Sequence, residues 1–151
     1  MPDWHQELRL LHLLAAAVLF GMRIVGGWYF ARALRTREPA IIANVAHAGV
    51  IAELLLTTPA VVIQLLTGLA LADGLGLSLA TPWIAIALGV FIAVGVIWLP
   101  LLWIEYRIAT LAAASALSTR WWVVWWYILE WTMLFGVLVL FWLMVYRPAL
   151  I

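Results

Sequence analysis

The chain has 151 residues, of which 68% are hydrophobic and 10% charged, and its formal net charge is +1. An ordinary globular domain is about half apolar and about a quarter charged. This composition therefore excludes a soluble domain, a disordered chain and a nucleic-acid-binding protein, since no basic field attracts phosphate. Cysteine and lysine are absent, which excludes disulfides, thiolate metal ligands and Schiff-base chemistry. The sequence predicts a polytopic membrane protein.

Four apolar segments reach the length of about 20 residues that a helix needs to cross the hydrocarbon core of a membrane. They lie at about residues 10–31, 41–72, 83–104 and 121–145, and charged, proline-containing or glycine-containing stretches separate them. We expect an all-α fold, a four-transmembrane-helix bundle that forms one integral membrane domain over residues 1–151. The second and third helices are predicted to kink at Pro59 and Pro100, because proline removes a backbone donor. The third helix is expected to continue beyond Tyr106.

The arginines are distributed unevenly between the two ends of this bundle. The loop after the first helix and the loop after the third carry Arg32, Arg35, Arg37, Arg107 and Arg120, whereas Arg9 and Arg147 lie near the termini. Cytoplasmic loops carry an excess of arginine and lysine. We therefore expect a multi-pass protein of the cell (inner) membrane, with both termini outside the cytoplasm.

Three ionisable residues of the spans are predicted to share one depth near the middle of the membrane. Counted from the predicted cytoplasmic end of each helix, Arg23, Glu53 and Glu130 lie about 11, 13 and 10 residues deep. Ionisable residues inside a membrane face the bundle interior and often mark function. We expect a bidentate pair between the arginine and one carboxylate, with the second carboxylate holding a proton. A catalytic, proton-handling role is one hypothesis for the three residues, and an ion pair that fixes helix register is the alternative.

Helical spacing also predicts a polar seam along the inner faces of the first two helices. Gln64 and Thr67 share a face with Glu53, and His12 shares a face with Arg23. Two interpretations of this seam remain open. Its polar side chains either form hydrogen bonds between the helices or line a path for protons or a ligand.

His12 is the candidate metal ligand, in a haem b site. His47 differs from it by about 15 residues in depth, or roughly 22 Å, so the two histidines cannot ligate one iron. Met144 is a thioether at a depth that matches His12, and Arg9 and Arg147 are placed to meet propionates at the rim. These four residues form the predicted cofactor-binding set. The alternative for His12 is a hydrogen-bonded packing residue, which is also how we interpret His47.

Several short motifs extend over nearly the whole chain. They are Leu10-Leu11-His12 with Phe20-Gly21, the run LLTTPAV at residues 55–61 followed by Gln64, Thr67 and Gly68, Trp83 with Trp98-Leu99-Pro100, and the run WLMVYRP at residues 142–148. In this order they resemble the predicted integral membrane family known as domain of unknown function 2269. The resemblance implies a four-helix, mostly bacterial membrane protein with no established activity. Glu53 stands where that family usually has aspartate, and Arg23 where it usually has a small residue.

A fainter likeness connects the chain with a second family. His12, Pro59-Ala60, Gly68, Glu130 and Arg147-Pro148 occupy places similar to those of motifs in the haem b-containing bacterial protoporphyrinogen oxidase family. That family's lysine in the third helix has no counterpart in this chain, and Leu129 and Thr132 replace an asparagine and a proline near its glutamate. The similar placement of these residues implies a haem site. The enzymatic activity of that second family is not inferred for this chain.

These observations leave three functional hypotheses. The favoured one is a haem b-binding or redox-linked membrane protein in which mid-membrane carboxylates handle protons. The alternatives are a non-catalytic accessory subunit of a larger respiratory or photosynthetic membrane complex, and a proton-linked small transporter or channel. The expected partners are the lipid bilayer and either other subunits or further copies of the chain, with no nucleic acid.

Overall fold

The computed structural model describes residues 4–114 and 120–147, and the regular structure in these ranges is helical. Four helices are long and apolar enough to cross a membrane: Trp4–Thr36 (α1), Pro39–Gly74 (α2), Pro82–Ala113 (α3) and Arg120–Tyr146 (α4). The predicted all-α fold with four spans is confirmed. Each helix is longer than its predicted span, because flanking turns that carry polar and aromatic residues continue it. Residues 1–3, 115–119 and 148–151 of the predicted domain lie outside the described residues.

Local sequence sets several of the helix ends. Pro39 and Pro82 stand at the start of α2 and α3, where the missing N–H of proline is not needed. Arg37 ends α1 in the left-handed conformation, with φ of 58°, and the chain turns directly into α2. Gly76, with φ of 65°, allows the tight turn after α2.

One π-helical turn interrupts each of the first two helices, at Met22–Gly26 in α1 and at Glu53–Thr57 in α2. The second of these turns comes just before Pro59, the residue where a kink was predicted. Thr58 Oγ1 donates to the carbonyl of Glu53 at 3.2 Å and so adds a hydrogen bond to the irregular turn. In α3 the chain passes Pro100 without a change of helix type.

The packed core lies toward the end of the bundle that carries the α1–α2 and α3–α4 connections, which we call the loop end. It consists of Phe30, Ala46, Leu101, Ile104, Ile108, Ala109, Trp126 and Met133. Trp126 is 1% exposed and meets the ring of Phe30 edge to face, with the ring centroids 4.7 Å apart. Such an aromatic pair contributes about 0.5–1.5 kcal/mol beyond its buried area.

The opposite end of the bundle, which carries residues 4 and 147, is called the terminal end. Here the helices pack mainly as two pairs, α1 along α2 and α3 along α4. Phe20 and Phe141 connect the pairs through an edge-to-face contact at 5.6 Å between ring centroids. The guanidinium of Arg147 lies over the ring of Trp83, 5.8 Å from its centroid. A cavity therefore remains between the two pairs at this end.

Candidate functional site

The two π-helical turns carry two of the predicted site residues, Arg23 in α1 and Glu53 in α2. A π-turn inserts one extra residue into an α-helix, which redirects the neighbouring side chains, and such turns are frequent at functional sites. Both side chains point into the bundle, where Arg23 is 4% and Glu53 5% exposed. The irregular turns thus hold two opposite charges at one level of the bundle.

Arg23 bridges two carboxylates that come from different helices. Its Nη2 pairs with Glu53 Oε1, and its Nη1 donates to Glu130 Oε2 at 2.9 Å. The predicted contact among these three residues is confirmed. The prediction of a bidentate pair with one carboxylate is wrong, because the guanidinium contacts each of the two carboxylates through a single nitrogen. Gly27 makes room for this arrangement, since a Cβ there would lie 2.9 Å from Glu130 Oε1.

Glu105 of α3 is a third buried carboxylate that was not predicted. It is 8% exposed, and the indole of Trp126 donates to its Oε1 at 2.9 Å. It falls one residue beyond the predicted span, which ended at residue 104. Leu101, Ile108 and Ala112 occupy the same helical face and are buried. The continuation of this apolar face past residue 104 is the signal that could have identified Glu105 as an interior residue.

A second tryptophan supports the cluster from α3. Trp98 Nε1 donates to Glu53 Oε2 at 2.8 Å, so both oxygens of this carboxylate have a partner. A hydrogen bond to a charged group contributes about 1.5–3 kcal/mol. Trp98 belongs to one of the sequence motifs, but its contact with Glu53 was not predicted.

These carboxylates line a cavity of about 240 Å³, which we call the central cavity. Arg23, Glu53, Glu105 and Glu130 provide its charged groups. Oε2 of Glu105 and Oε1 of Glu130 are buried and have no hydrogen-bond partner among the described residues. Three carboxylates therefore face one guanidinium, and the free oxygens can accept a proton or a cation.

His12 engages α2 through both of its ring nitrogens. Thr67 Oγ1 donates to the carbonyl of Ile63 at 2.6 Å, so it accepts from His12 Nδ1, which lies 2.9 Å away. His12 Nε2 then accepts from the side-chain amide of Gln64 at 2.9 Å. Gly68 leaves space for the imidazole, since a Cβ there would lie 3.2 Å from His12 Cε1. This part of the predicted polar seam is confirmed as hydrogen bonding between helices.

A larger cavity of about 660 Å³ lies between the two helix pairs at the terminal end, and we call it the terminal cavity. Its lining is mostly apolar and includes all four residues of the predicted cofactor-binding set, His12, Met144, Arg9 and Arg147. The structure thus brings the four residues together around one space. Their role as ligands of a cofactor stays a prediction.

The four spans and the order of the sequence motifs connect this chain with one family. Residues 6–148 match the family described as predicted integral membrane protein (DUF2269). The chain belongs to this family. The resemblance to domain of unknown function 2269 is thereby confirmed, and the matched range contains every site residue named above. No match was found among curated proteins or among solved structures. Both cavities of this DUF2269 protein are formed within the matched range.

Proposed function

We propose that the protein binds haem b in the terminal cavity, where His12 would be a ligand of its iron. The observation that carries this proposal is the convergence of His12, Met144, Arg9 and Arg147 on one mostly apolar cavity. Its volume of about 660 Å³ falls within the range of about 300–1,000 Å³ that is usual for cofactor and ligand sites. An apolar space with a few convergent polar groups suits a planar, amphiphilic cofactor.

The hydrogen bonds of His12 fit the role of a metal ligand. A ligating histidine commonly donates its second ring nitrogen to an oxygen of the protein, which fixes the tautomer. The contact between Nδ1 and Thr67 Oγ1 supplies this bond and leaves the lone pair on Nε2. Ligation requires the amide of Gln64 to turn away from Nε2. The thioether of Met144 is a candidate second ligand, and Arg9 and Arg147 are cations suited to propionates.

Haem iron supplies one-electron chemistry when bound. In this proposal the chain's own Glu53 and Glu130 hold and exchange protons at mid-membrane, beside the permanently charged Arg23 and separately from the terminal cavity. The protein would reside in the cell membrane with both termini outside the cytoplasm, as the distribution of arginines favours.

Absorption spectroscopy of the detergent-purified protein tests this proposal. The protein is produced with haem supplied, and spectra are recorded in oxidised and dithionite-reduced forms together with a pyridine haemochrome assay. We expect a b-type signal of about one haem per chain that His12→Ala abolishes. His47→Ala is the matched control, because His47 is an exposed histidine of α2 away from the cavity. Met144→Leu should alter the spectrum without removing the haem.

A colourless protein would refute the haem proposal. The accessory-subunit and transporter hypotheses would then remain, and they predict different results. An accessory subunit should co-purify with other membrane subunits. A proton-linked transporter should produce flux in liposomes that Glu53→Gln abolishes.

A further inference from the structure

We propose that the central cavity is a binding site for a small organic monocation of the alkylammonium class. This inference goes beyond the proposed haem site and does not depend on it, since the two cavities have different linings. It shares Arg23, Glu53 and Glu130 with the proposed proton exchange. It rests on three features of the central cavity: its unbalanced charge, its aromatic wall and its opening between α1 and α2.

The charges in the cavity leave acceptors without partners. The two terminal nitrogens of Arg23 already contact Glu53 and Glu130. Glu105 faces the same space, and its Oε2 has no hydrogen-bond partner among the described residues, although the residue is only 8% exposed. Glu130 Oε1 is likewise buried without a partner. A buried carboxylate oxygen without a partner is costly, and an ammonium group with its several N–H donors would satisfy both oxygens.

Aromatic side chains line the cavity beside these carboxylates. Tyr29 and Phe30 of α1 both contribute to the wall. Carboxylates combined with aromatic rings are groups that recognise ammonium cations, since a cation is attracted wherever it can reach the negative face of a ring. The volume of about 240 Å³ accommodates several non-hydrogen atoms, which is more than a bound proton requires.

Small residues leave the cavity open on the side where α1 meets α2. Gly26 and Tyr29 on α1, and Asn44 and Ala48 on α2, line the cavity and are also exposed. Asn44 lies near the start of α2 at Pro39, closer to the loop end than Glu53, so a cation would enter from the loop end, past the amide of Asn44. No group of three histidine, aspartate or glutamate side chains in the described part of the chain converges as a metal site, so the donor arrangement favours an organic cation over a metal ion.

Calorimetric titration of the purified, full-length protein in detergent tests this inference. Ethylammonium is the probe, and ethanol and acetamide are the neutral comparisons. We expect saturable binding of ethylammonium and none of the neutral molecules. Glu105→Gln, which keeps the shape of the side chain, should weaken binding by about ten- to a hundredfold, because one charge-assisted contact is lost. Glu38→Gln is the matched control, since Glu38 is exposed between α1 and α2 and lies outside the cavity.

A second variant keeps the test decisive if Glu105→Gln does not fold. In Gly49→Ala the new methyl would lie 3.7 Å from Glu105 Oε2, an ordinary contact that narrows the cavity without altering its charge. We expect the helical circular dichroism of the wild-type protein and binding weakened several-fold. Three results would overturn the proposal: no saturable binding, equal binding of the neutral molecules, or an unchanged affinity in both variants. A response to pH alone, without cation binding, would show a proton site only and would also overturn it.

Discussion

Substitution of Arg23 by leucine provides the most direct test of how the buried charges are balanced. Arg23 is 4% exposed and contacts both Glu53 and Glu130. Arg23 is the one buried cationic side chain among the described residues, so no other buried cation there compensates the two carboxylates. Arg23→Leu would leave the two carboxylates facing each other across the central cavity.

The expected magnitude follows from the burial of the ion pairs. Removal of one partner of a buried ion pair costs about 3–5 kcal/mol, because the remaining charge loses its compensation. Replacement of a whole buried ion-pair network by well-packed hydrophobic residues of similar volume is often neutral or even stabilising, because no uncompensated charge remains. Arg23→Leu should therefore lower the free energy of unfolding by about 3–5 kcal/mol. The triple variant Arg23→Leu, Glu53→Gln, Glu130→Gln should recover most of that loss.

Equilibrium unfolding in mixed micelles with increasing dodecyl sulfate, followed by tryptophan fluorescence, gives these free energies. Trp98 and Trp126, two of the eleven tryptophans, contact the carboxylates of the cluster, so part of the signal comes from the cluster itself. Arg35→Leu is the matched control, because Arg35 is exposed at the end of α1. The loss of unfolding free energy in Arg23→Leu, relative to the wild type, should become smaller as the pH is lowered. Protonation then neutralises the carboxylates of Glu53 and Glu130, which no longer have a cationic partner.

Two results would refute this reasoning. A loss of less than about 1 kcal/mol, similar to that of an exposed arginine, would show that the ion pairs carry little free energy. A triple variant no more stable than Arg23→Leu alone would show that the loss comes from packing of the arginine stem and not from uncompensated charge.

Three further predictions concern other parts of the chain. Gly136→Ala should destabilise the protein by about 1–3 kcal/mol in thermal unfolding, because the new Cβ would lie 2.5 Å from Val94 Cγ2. A second change, Val94→Ala, should restore most of the lost stability, because it removes the clashing methyl group. Trp126→Phe should cost about 1–3 kcal/mol in the same assay, since a carboxylate loses its indole donor. A cysteine introduced by Arg37→Cys should resist an impermeant thiol reagent added to intact cells, whereas Asp73→Cys should react; the reverse pattern would contradict the predicted orientation.

The features that could be predicted from the sequence depend on helical geometry alone. A rise of 1.5 Å per residue places Arg23, Glu53 and Glu130 at one depth, and the structure confirms their contact. Helical spacing likewise placed Thr67 and Gln64 on a face that meets His12. Such arguments succeed because lipid requires every span to be a hydrogen-bonded helix, which leaves little freedom in the position of a side chain along the membrane normal.

The features that were missed depend on departures from regular helices and on packing between them. A π-turn shifts the register by one residue, and neither the turn at Met22–Gly26 nor the one at Glu53–Thr57 has a distinct sequence signal. Glu105 was missed because its helix remains in the bundle beyond the apolar run that defined the predicted span. The two cavities depend on how far the helix pairs separate, and no local pattern encodes that distance.

The composition of the central cluster argues against a purely structural ion pair. One arginine and one carboxylate would suffice to fix the register of two helices, and the pair could then be fully satisfied. Here Glu105 adds a buried carboxylate that has an indole donor at one oxygen and no partner at the other. Two irregular helical turns are also retained at this level. A buried oxygen without a partner costs stability, and this oxygen and the two turns are located around the same cavity. This arrangement is the one expected if the central cavity binds a ligand, as proposed above.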